Sequence, residues 1–282
     1  FYNNCCHRGH ILAEGSGSCR RIVCRYHAWS YNLDGRLFRA PNSEGVEGFD
    51  PSKIRLNELR LQVLAGIVFV TIDDNAPDLT TLVPGLEEEI LGFKPNVVDQ
   101  EWVADRPYEH RCNWKVSVEN FSECYHCGPV HKYLATNVID PSSYQVSADG
   151  LVQRHVVAGL DGEMVQRIWH IFPNTAIGLY PIPNFGLTLS IRHMYPTAFN
   201  RAVYHYRWFC DLGLSAETVR EYAAHHAETT GAEDAQVAEG VQKGMENINF
   251  DRGFLLANPS NGVSSEHVIA HFHALLEAAL AA

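Results

Sequence analysis

Cys5-Cys-His-Arg-Gly9 and Cys24-Arg-Tyr-His-Ala-Trp29 decide what kind of domain the first part of this chain forms. They carry the patterns Cys5-x-His7 and, after sixteen intervening residues, Cys24-x2-His27. Each pattern is short enough to be a tight turn that presents a thiolate and an imidazole to the same centre. Two sulfur and two nitrogen ligands suit a tetrahedral zinc ion or a [2Fe-2S] cluster with two histidines on one iron. The sequence therefore predicts a metal site built by two loops.

The residues around these loops indicate a small β domain. Glycine-rich turns separate short apolar runs such as Val63–Val70, and Asp34-Gly35 is a favourable hairpin turn. The polar stretch Asp73–Asp78 contains a proline and predicts a domain boundary. We therefore assign residues 1–74 to a first domain and residues 75–282 to a second. The chain opens on Phe1, already inside this pattern, so we expect part of the first domain to lie upstream.

A second domain of α+β class is predicted from residue 75 onward. A helix is expected from about Thr80 to Leu91. Strand runs bounded by Pro, Gly or Asn are Ile168–Phe172, Leu187–Ile191 and Ala202–Phe209. Helices are expected after the capping residue Ser215, over Glu233–Met245 and after Ser265. This order of elements predicts an antiparallel sheet with helices packed on one side.

A second group of metal-ligating side chains follows Asn113 as Glu123-x2-His126-x4-His131. Two imidazoles and a carboxylate this close together indicate a metal site. The two histidines are five positions apart, which on an ideal helix is about 140° around the axis. Both nitrogens can reach one ion if the chain bends between them, and Gly128-Pro129 is expected to provide that bend. From these residues alone, two surface histidines at a helix end remain the alternative.

Composition narrows the class of protein. The net charge of −11 argues against a general nucleic-acid binder, which would carry a basic patch. No apolar run approaches the roughly eighteen residues of a membrane span, and no signal-peptide pattern is present. The eight cysteines are few for 282 residues and do not indicate a disulfide framework, so we expect a reducing cytoplasm. The fifteen histidines favour metal binding.

The two cysteine–histidine loops resemble those of the Rieske oxygenases, which carry Cys-x-His-Arg-Gly and Cys-x-Tyr-His-Gly-Trp-x-Tyr. The resemblance favours a Rieske [2Fe-2S] cluster on Cys5, His7, Cys24 and His27 over zinc. Cys6 and His10 remain alternative ligands. Ala28 replaces the usual glycine, a change expected to cost little if the backbone there avoids positive φ.

The second metal motif resembles the catalytic domain of the Rieske non-heme iron oxygenases, and this resemblance covers essentially the whole chain. In that family Asn-Trp-Lys precedes an acid-x2-His-x4-His motif, and a later aspartate ahead of Val-Gln-x-Gly is the third iron ligand. The resemblance implies an Fe(II) site on His126, His131 and Asp234, with Glu233 as the adjacent alternative. It also implies that Glu123 is not a ligand. Glu123 would instead link His126 to His27 of a neighbouring subunit and carry electrons, which implies a homotrimer.

The implied function is oxidation of a small substrate with dioxygen. Electrons would come from NAD(P)H through a separate reductase, with a ferredoxin as a further candidate donor. Residues 119–127, Glu-Asn-Phe-Ser-Glu-Cys-Tyr-His-Cys, resemble the branch that oxidises quaternary amines such as glycine betaine, stachydrine or carnitine. N-demethylation is the reaction expected.

A quaternary ammonium group needs aromatic faces because it cannot donate a hydrogen bond. The candidates for such a cage are Tyr204, Tyr206, Trp208, Trp169 and Phe172. Three alternative functions are an aromatic-ring-hydroxylating dioxygenase, a Rieske electron carrier without catalysis, and a zinc-stabilised binding module.

Overall fold

The structure, a computed structural model, divides into two compact units that meet between Leu79 and Thr80. It describes residues 1–94, 96–160, 162, 164–211 and 215–281. The sequence placed the boundary five residues earlier, after residue 74. Hydrogen bonds tie the intervening residues back to the first unit: Gln62 Nε2 donates to Asp78 Oδ1 over 2.8 Å, and Arg60 donates to the carbonyl of Ala76.

The first unit is built from short antiparallel strands. Strands β1 (Ile22–Val23), β2 (Ser30–Tyr31) and β3 (Leu37–Arg39) form one sheet in that order, and β4 (Arg60–Leu64) pairs with β5 (Ile67–Thr71). The predicted turn at Asp34-Gly35 joins β2 to β3, and Gly35 has a φ of 83° that suits glycine. The small core contains Leu12, Tyr31 and Leu56 together with two of the predicted cluster ligands, Cys5 and Cys24.

The second unit contains a seven-stranded antiparallel sheet. Its strands are β6 (Gln100–His110), β7 (Gln145–Asp149), β8 (Val152–Ala158), β9 (Val165–Ile171), β10 (Thr175–Ile182), β11 (Gly186–Ala198) and β12 (Arg201–Asp211). Their order across the sheet is β6-β12-β11-β10-β9-β8-β7. The three strand runs predicted from the sequence correspond to parts of β9, β11 and β12, whereas β6, β7, β8 and β10 were not predicted.

Eight α-helices accompany the sheet in the part of the chain that the structure describes. They are α1 (Leu79–Leu82), α2 (Leu86–Leu91), α3 (Trp114–Phe121), α4 (Cys127–Val130), α5 (Lys132–Asn137), α6 (Ala216–His226), α7 (Ala232–Met245) and α8 (His267–Ala281). The single helix expected over Thr80–Leu91 is interrupted at Pro84-Gly85, where Gly85 has a φ of 74°. Ser215 caps α6 as predicted, its hydroxyl accepting from the backbone N–H of Thr218.

One face of the sheet is the main core of this unit. In β12 the side chains of Tyr204, Tyr206 and Trp208 are all buried, as the period of two predicted. They pack with Ile168 of β9 and with Phe272 of α8, which covers this face. The predicted α+β class is confirmed. Among the described residues, no helix has the length and apolarity needed to cross a membrane.

Candidate metal centres

The two cysteine–histidine loops of the first unit share one backbone geometry. In the first loop Gly9 N donates to Cys5 O over 2.8 Å, and in the second Ala28 N donates to Cys24 O over 3.1 Å. The amide of each cysteine donates to the carbonyl five residues later. Gly9 and Ala28 therefore occupy equivalent positions, and both have positive φ, 71° and 56°. The condition under which Ala28 was expected to cost little is therefore not met, because the loop closes through a left-handed residue.

The side chains of these loops divide into a buried and an exposed pair. Cys5 and Cys24 are each only 2% exposed, whereas His7 and His27 lie at the surface. The two imidazole rings are edge to face with centroids 4.7 Å apart, and Trp29 stacks on His7 at the same distance. The structure thus brings the two predicted histidines into contact and buries the two cysteines in one small core. These donors fit a [2Fe-2S] cluster in which two cysteines bind one iron and two histidines bind the other.

The alternative ligands in the first loop have other partners. The thiol of Cys6 is exposed and donates to the carbonyl of Arg55 over 3.2 Å. The ring of His10 contacts its neighbour's carbonyl, Ile11 O, over 2.6 Å. In contrast, the Sγ of Cys5 lies 3.1 Å from the hydroxyl of Tyr31, inside the core. The geometry favours Cys5 and His7 over Cys6 and His10.

His126, His131 and Asp234 converge in the second unit. His126 Nε2 and His131 Nε2 are 3.1 Å apart, and Asp234 Oδ1 lies 3.4 Å from the first and 3.0 Å from the second. Three ligands at about 2.1 Å from one ion, at right angles to each other, would be about 3.0 Å apart. These separations fit three adjacent coordination positions, the arrangement of a two-histidine, one-carboxylate iron site with open positions.

The chemistry of these atoms also fits a cation. Asp234 Oδ1 is buried and makes no hydrogen bond, although it is within ion-pair distance of both rings. A proton placed between two of the three atoms would leave the third with an unused lone pair. A bound cation uses all three lone pairs, so the residues fit a mononuclear metal ion.

Local structure explains how the two histidines meet. Helix α3 ends at Phe121, and α4 starts after His126. The bend predicted at Gly128-Pro129 is absent, because both residues lie inside α4 and Pro129 occupies its first turn, where no backbone N–H is needed. The chain instead changes direction at His131, whose φ of −95° and ψ of 67° are not helical.

Asp234 reaches the site from the first turn of α7. A π-helical turn, Ala227–Gly231, joins α6 to α7 directly before it, and such turns are frequent at functional sites. Gly231 is required there because a Cβ would lie 2.7 Å from the ring of Tyr108. Further along α7, the Oε1 of Gln242 accepts from Asn113 N over 2.8 Å. This glutamine belongs to the Val-Gln-x-Gly signature and fixes α7 to the start of α3.

A carboxylate contacts the outer nitrogen of each histidine. Glu123 accepts a hydrogen bond from the Nδ1 of His126 and a second from its backbone N–H over 3.1 Å. Glu233 lies 2.8 Å from the Nδ1 of His131. Such contacts fix the ring so that Nε2 faces the metal. Glu233, the alternative to Asp234, therefore faces the opposite side of His131 from the converging atoms.

Neighbouring carboxylates and imidazoles set the protonation of His126, His131 and Asp234. Burial alone lowers the pKa of His126, but Asp234 and Glu123 outweigh burial and raise the pKa to about 10. The pKa of His131 is raised by Asp234 and Glu233 against the same effect of burial. Burial raises the pKa of Asp234, but the two imidazoles outweigh it and lower the pKa. Asp234 is therefore an anion, as a metal ligand must be.

A cavity opens onto the three converging side chains. It encloses about 80 Å³ within a recess of about 630 Å³ that includes its open mouth. Its aromatic lining residues are Phe121, Tyr144, Tyr180 and Tyr222. The five aromatic side chains proposed as a cage are not among the lining residues, so that prediction is wrong. Three polar lining residues, His155, Arg192 and His226, were not predicted from the sequence. Each lies next to another polar residue of its strand or helix, so polarity alone does not mark it in the sequence.

Cys124 and Cys127, which flank His126, form a disulfide. Both also line the cavity. The sequence did not predict this pair, because the cysteine pattern as a whole does not indicate a disulfide framework. The remaining six cysteines are free.

Comparison with known proteins identifies both domains. The family model of the Rieske [2Fe-2S] domain matches residues 1–50. The model of the ring hydroxylating alpha subunit (catalytic domain) matches residues 99–162 and 159–282. The carnitine monooxygenase oxygenase subunit of Escherichia coli is 32% identical over 288 residues, 98% of this chain and 76% of that protein. The chloroplastic choline monooxygenase of Atriplex hortensis is 25% identical over 280 residues, 96% of this chain and 63% of that protein.

Solved structures agree with these matches. The quaternary ammonium Rieske monooxygenase CntA in complex with L-carnitine superimposes with a TM-score of 0.87 and 30% identity, over 98% of this chain and 76% of that one. The predicted cofactors, a Rieske [2Fe-2S] cluster and a mononuclear iron supplied with electrons by a separate reductase, are confirmed by the family. The electron carrier without catalysis and the zinc-stabilised binding module are contradicted by the catalytic-domain match. The chain belongs to the Rieske non-heme iron oxygenases, as the catalytic alpha subunit of an oxidoreductase.

Proposed function

We propose that this oxygenase oxidises a quaternary ammonium compound such as a betaine or carnitine, by N-demethylation. The observation that supports this proposal most is the similarity to carnitine monooxygenase, which extends over 98% of the chain. The cavity is consistent with it, since aromatic side chains line the space that opens onto His126, His131 and Asp234. Aromatic faces attract a cation that cannot donate hydrogen bonds.

In this proposal each group of residues has one task. Cys5, His7, Cys24 and His27 hold the cluster, and His126, His131 and Asp234 hold the iron. When bound, the iron activates dioxygen with electrons that the cluster delivers. The faces of Tyr144 and Tyr222 hold the ammonium group in the cavity and exclude water.

Glu123 has a further task in this proposal. Its carboxylate orients His126 and links it to His27 of a neighbouring subunit in a homotrimer. The family resemblance supports this link, and so does the position of the carboxylate on the outer nitrogen of His126. The side chain of Glu123 is only 11% exposed, so water screens the contact weakly. Sedimentation velocity of the holoenzyme tests the trimer.

The reaction is tested by its products. Hydroxylation of an N-methyl carbon consumes one dioxygen, two electrons and two protons, and releases one water. The resulting cationic hemiaminal loses formaldehyde and a proton, and leaves a tertiary amine. Purified enzyme with a reductase and NAD(P)H is therefore expected to release formaldehyde from glycine betaine, L-carnitine or γ-butyrobetaine.

Other products would change the proposal. Release of trimethylamine would show that the oxidised carbon is the one that joins nitrogen to the rest of the substrate, and not a methyl carbon. The proposed substrate class would be unchanged. A cis-diol from an aromatic hydrocarbon, with no quaternary amine turned over, would refute the proposal and favour the ring-hydroxylating alternative. Metal analysis should give two cluster irons and one mononuclear iron per chain.

A further inference from the structure

Arg192 is a buried cation that faces the cavity without a counter-ion. It lies in the middle of β11, is 6% exposed, and lines the same cavity as His126, His131 and Asp234. Its Nε is buried and makes no hydrogen bond. Among the residues that the structure describes, no carboxylate lies within ion-pair distance of its guanidinium. Fully buried arginines are rare unless they are paired, because an isolated charge is costly to remove from water.

Aromatic rings hold the guanidinium in place. Its central carbon lies 4.2 Å from the ring centre of Tyr180, 4.3 Å from that of Tyr206 and 5.4 Å from that of Phe121. Tyr180 can lie there only because residue 178 is glycine, where a Cβ would be 2.5 Å from the ring. Ring faces attract the positive charge, but they do not accept the in-plane N–H bonds that an arginine offers. The donors therefore remain available to a ligand in the cavity.

The other charged groups of the cavity are already engaged or neutral. The carboxylates of Asp234 and Glu123 are committed to the two metal-site histidines. Burial, together with the charge of Arg192, lowers the pKa of His155 and of His226 to about 3, so both are neutral at physiological pH. Arg192 is thus a positive charge that needs an anion from outside the chain.

We propose that Arg192 binds the carboxylate of a zwitterionic substrate, so that the enzyme selects quaternary ammonium carboxylates over quaternary ammonium alcohols. The planar guanidinium can donate two parallel hydrogen bonds to a carboxylate. This inference rests on the proposed function and specifies its substrate class. It also orients the substrate, because the guanidinium repels the ammonium group and places it at the other end of the cavity.

The test compares ligands with and without a free carboxylate, by calorimetric binding to the anaerobic holoenzyme. γ-Butyrobetaine is paired with its methyl ester, and glycine betaine with choline. The wild-type enzyme is expected to bind each carboxylate about a hundredfold more tightly than its neutral partner, since removing one partner of a buried charge pair has an effect of this size. Equal binding within each pair would overturn the proposal.

Two variants locate the effect on the side chain. Arg192→Met should weaken γ-butyrobetaine by about a hundredfold and leave its methyl ester unchanged or bound more tightly. Arg192→Lys keeps the charge but loses the planar fork, so it should fall between the two. If Arg192 has only a structural role, the affinities of Arg192→Met for both ligands should decrease equally and its melting temperature should fall. That result would overturn the proposal, and the comparison in the wild-type enzyme decides the matter if Arg192→Met does not fold.

A third ligand separates this inference from the proposed function. 5,5-Dimethylhexanoate has the shape and carboxylate of γ-butyrobetaine, with a neutral carbon in place of nitrogen. If Arg192 binds carboxylates, this anion binds the wild-type enzyme and is lost in Arg192→Met, whether or not quaternary amines are substrates. If quaternary amines are turned over but the wild-type enzyme binds the two members of each pair equally, the proposed function stands and the inference fails.

Discussion

Replacing Glu123 with glutamine separates ligand positioning from electron transfer. The carboxylate accepts two hydrogen bonds from one residue, from the Nδ1 and the backbone N–H of His126. Glutamine has one acceptor oxygen and one NH2 group, so only one of the two donors can be satisfied. An unsatisfied buried donor costs about 1–3 kcal/mol. A carboxylate that orients a metal-bound histidine typically accounts for about 10–100-fold in metal affinity or activity. We therefore expect Glu123→Gln to keep its mononuclear iron at stoichiometric supply.

Glu233→Gln is the matched control for this experiment. Glu233 contacts the Nδ1 of the other histidine, His131, over 2.8 Å, but its side chain is 35% exposed against 11% for Glu123. Both variants lose a carboxylate from a metal-site histidine, whereas only Glu123 is proposed to connect two subunits. Turnover by Glu233→Gln should decrease by roughly 10–100-fold, as expected for a residue that only orients a metal ligand. Turnover by Glu123→Gln should decrease by much more than that.

The assays are iron analysis, the electron paramagnetic resonance signal of the reduced cluster, and single-turnover product formation. In Glu123→Gln the cluster should be reduced normally, stay reduced in the presence of substrate and dioxygen, and give no product. Loss of the mononuclear iron from this variant but not from Glu233→Gln would place Glu123 among the metal ligands. Equal turnover in the two variants would refute the proposed electron path.

Four further residues give predictions. Asp234→Asn removes the anionic ligand and should lower the iron content from three to two per chain with an unchanged cluster spectrum; retention of three would assign the ligand elsewhere. Without a metal the pKa of His126 is raised to about 10, so Zn²⁺ must displace a proton from this imidazole to bind. The apparent affinity for Zn²⁺ should therefore rise by up to about tenfold for each pH unit until the pH reaches the pKa of His126. An affinity that does not change with pH, measured by calorimetry, would contradict this. Tyr31→Phe removes the hydroxyl that lies 3.1 Å from the Cys5 sulfur. Loss of a hydrogen bond of about 1 kcal/mol should lower the reduction potential of the cluster by roughly 40 mV. An unchanged potential would show that the hydroxyl does not donate to the sulfur. Ala28→Gly relieves a φ of 56° and should stabilise the first unit by up to about 1 kcal/mol, measured by thermal unfolding at the cluster absorption; a lower melting temperature would refute it.

The ligand residues could be predicted because their signal is local. The pattern Cys-x-His is a property of three neighbouring residues, and the spacing of His126 and His131 is a property of six. Asp234 lies far along the chain, and only the signature that follows it indicated its position. The structure supplies the physical reason, since Gln242 in that signature binds the backbone at Asn113 and fixes the two helices to each other. Because Gln242 binds a backbone amide and not a particular side chain, its partner could not be predicted from the sequence.

The polar residues of the cavity could not be predicted, because their role depends on neighbouring strands. Arg192 pairs with Ala176 of β10 on one side and with Tyr206 of β12 on the other. A period of two shows that residues share a face, but it does not show what lies above that face. His155 illustrates the same limit, since it lies on β8, a strand that the sequence did not reveal.

The aromatic residues of β12 were predicted to hold the substrate's ammonium group, but one of them holds an arginine instead. Tyr206 lies opposite Arg192 on the adjacent strand, and its ring centre is 4.3 Å from the guanidinium. The cation in contact with this ring is therefore supplied by the protein itself. A ring that is occupied by the arginine cannot also receive the substrate's ammonium group. In our proposal this part of the cavity therefore attracts an anion, where the sequence predicted that it would attract a cation. The ammonium group must use other faces of the cavity, such as those of Tyr144 and Tyr222. In our proposal a substrate that carries both charges would satisfy both ends at once, so a betaine is expected to bind in this cavity more tightly than an amine without a carboxylate.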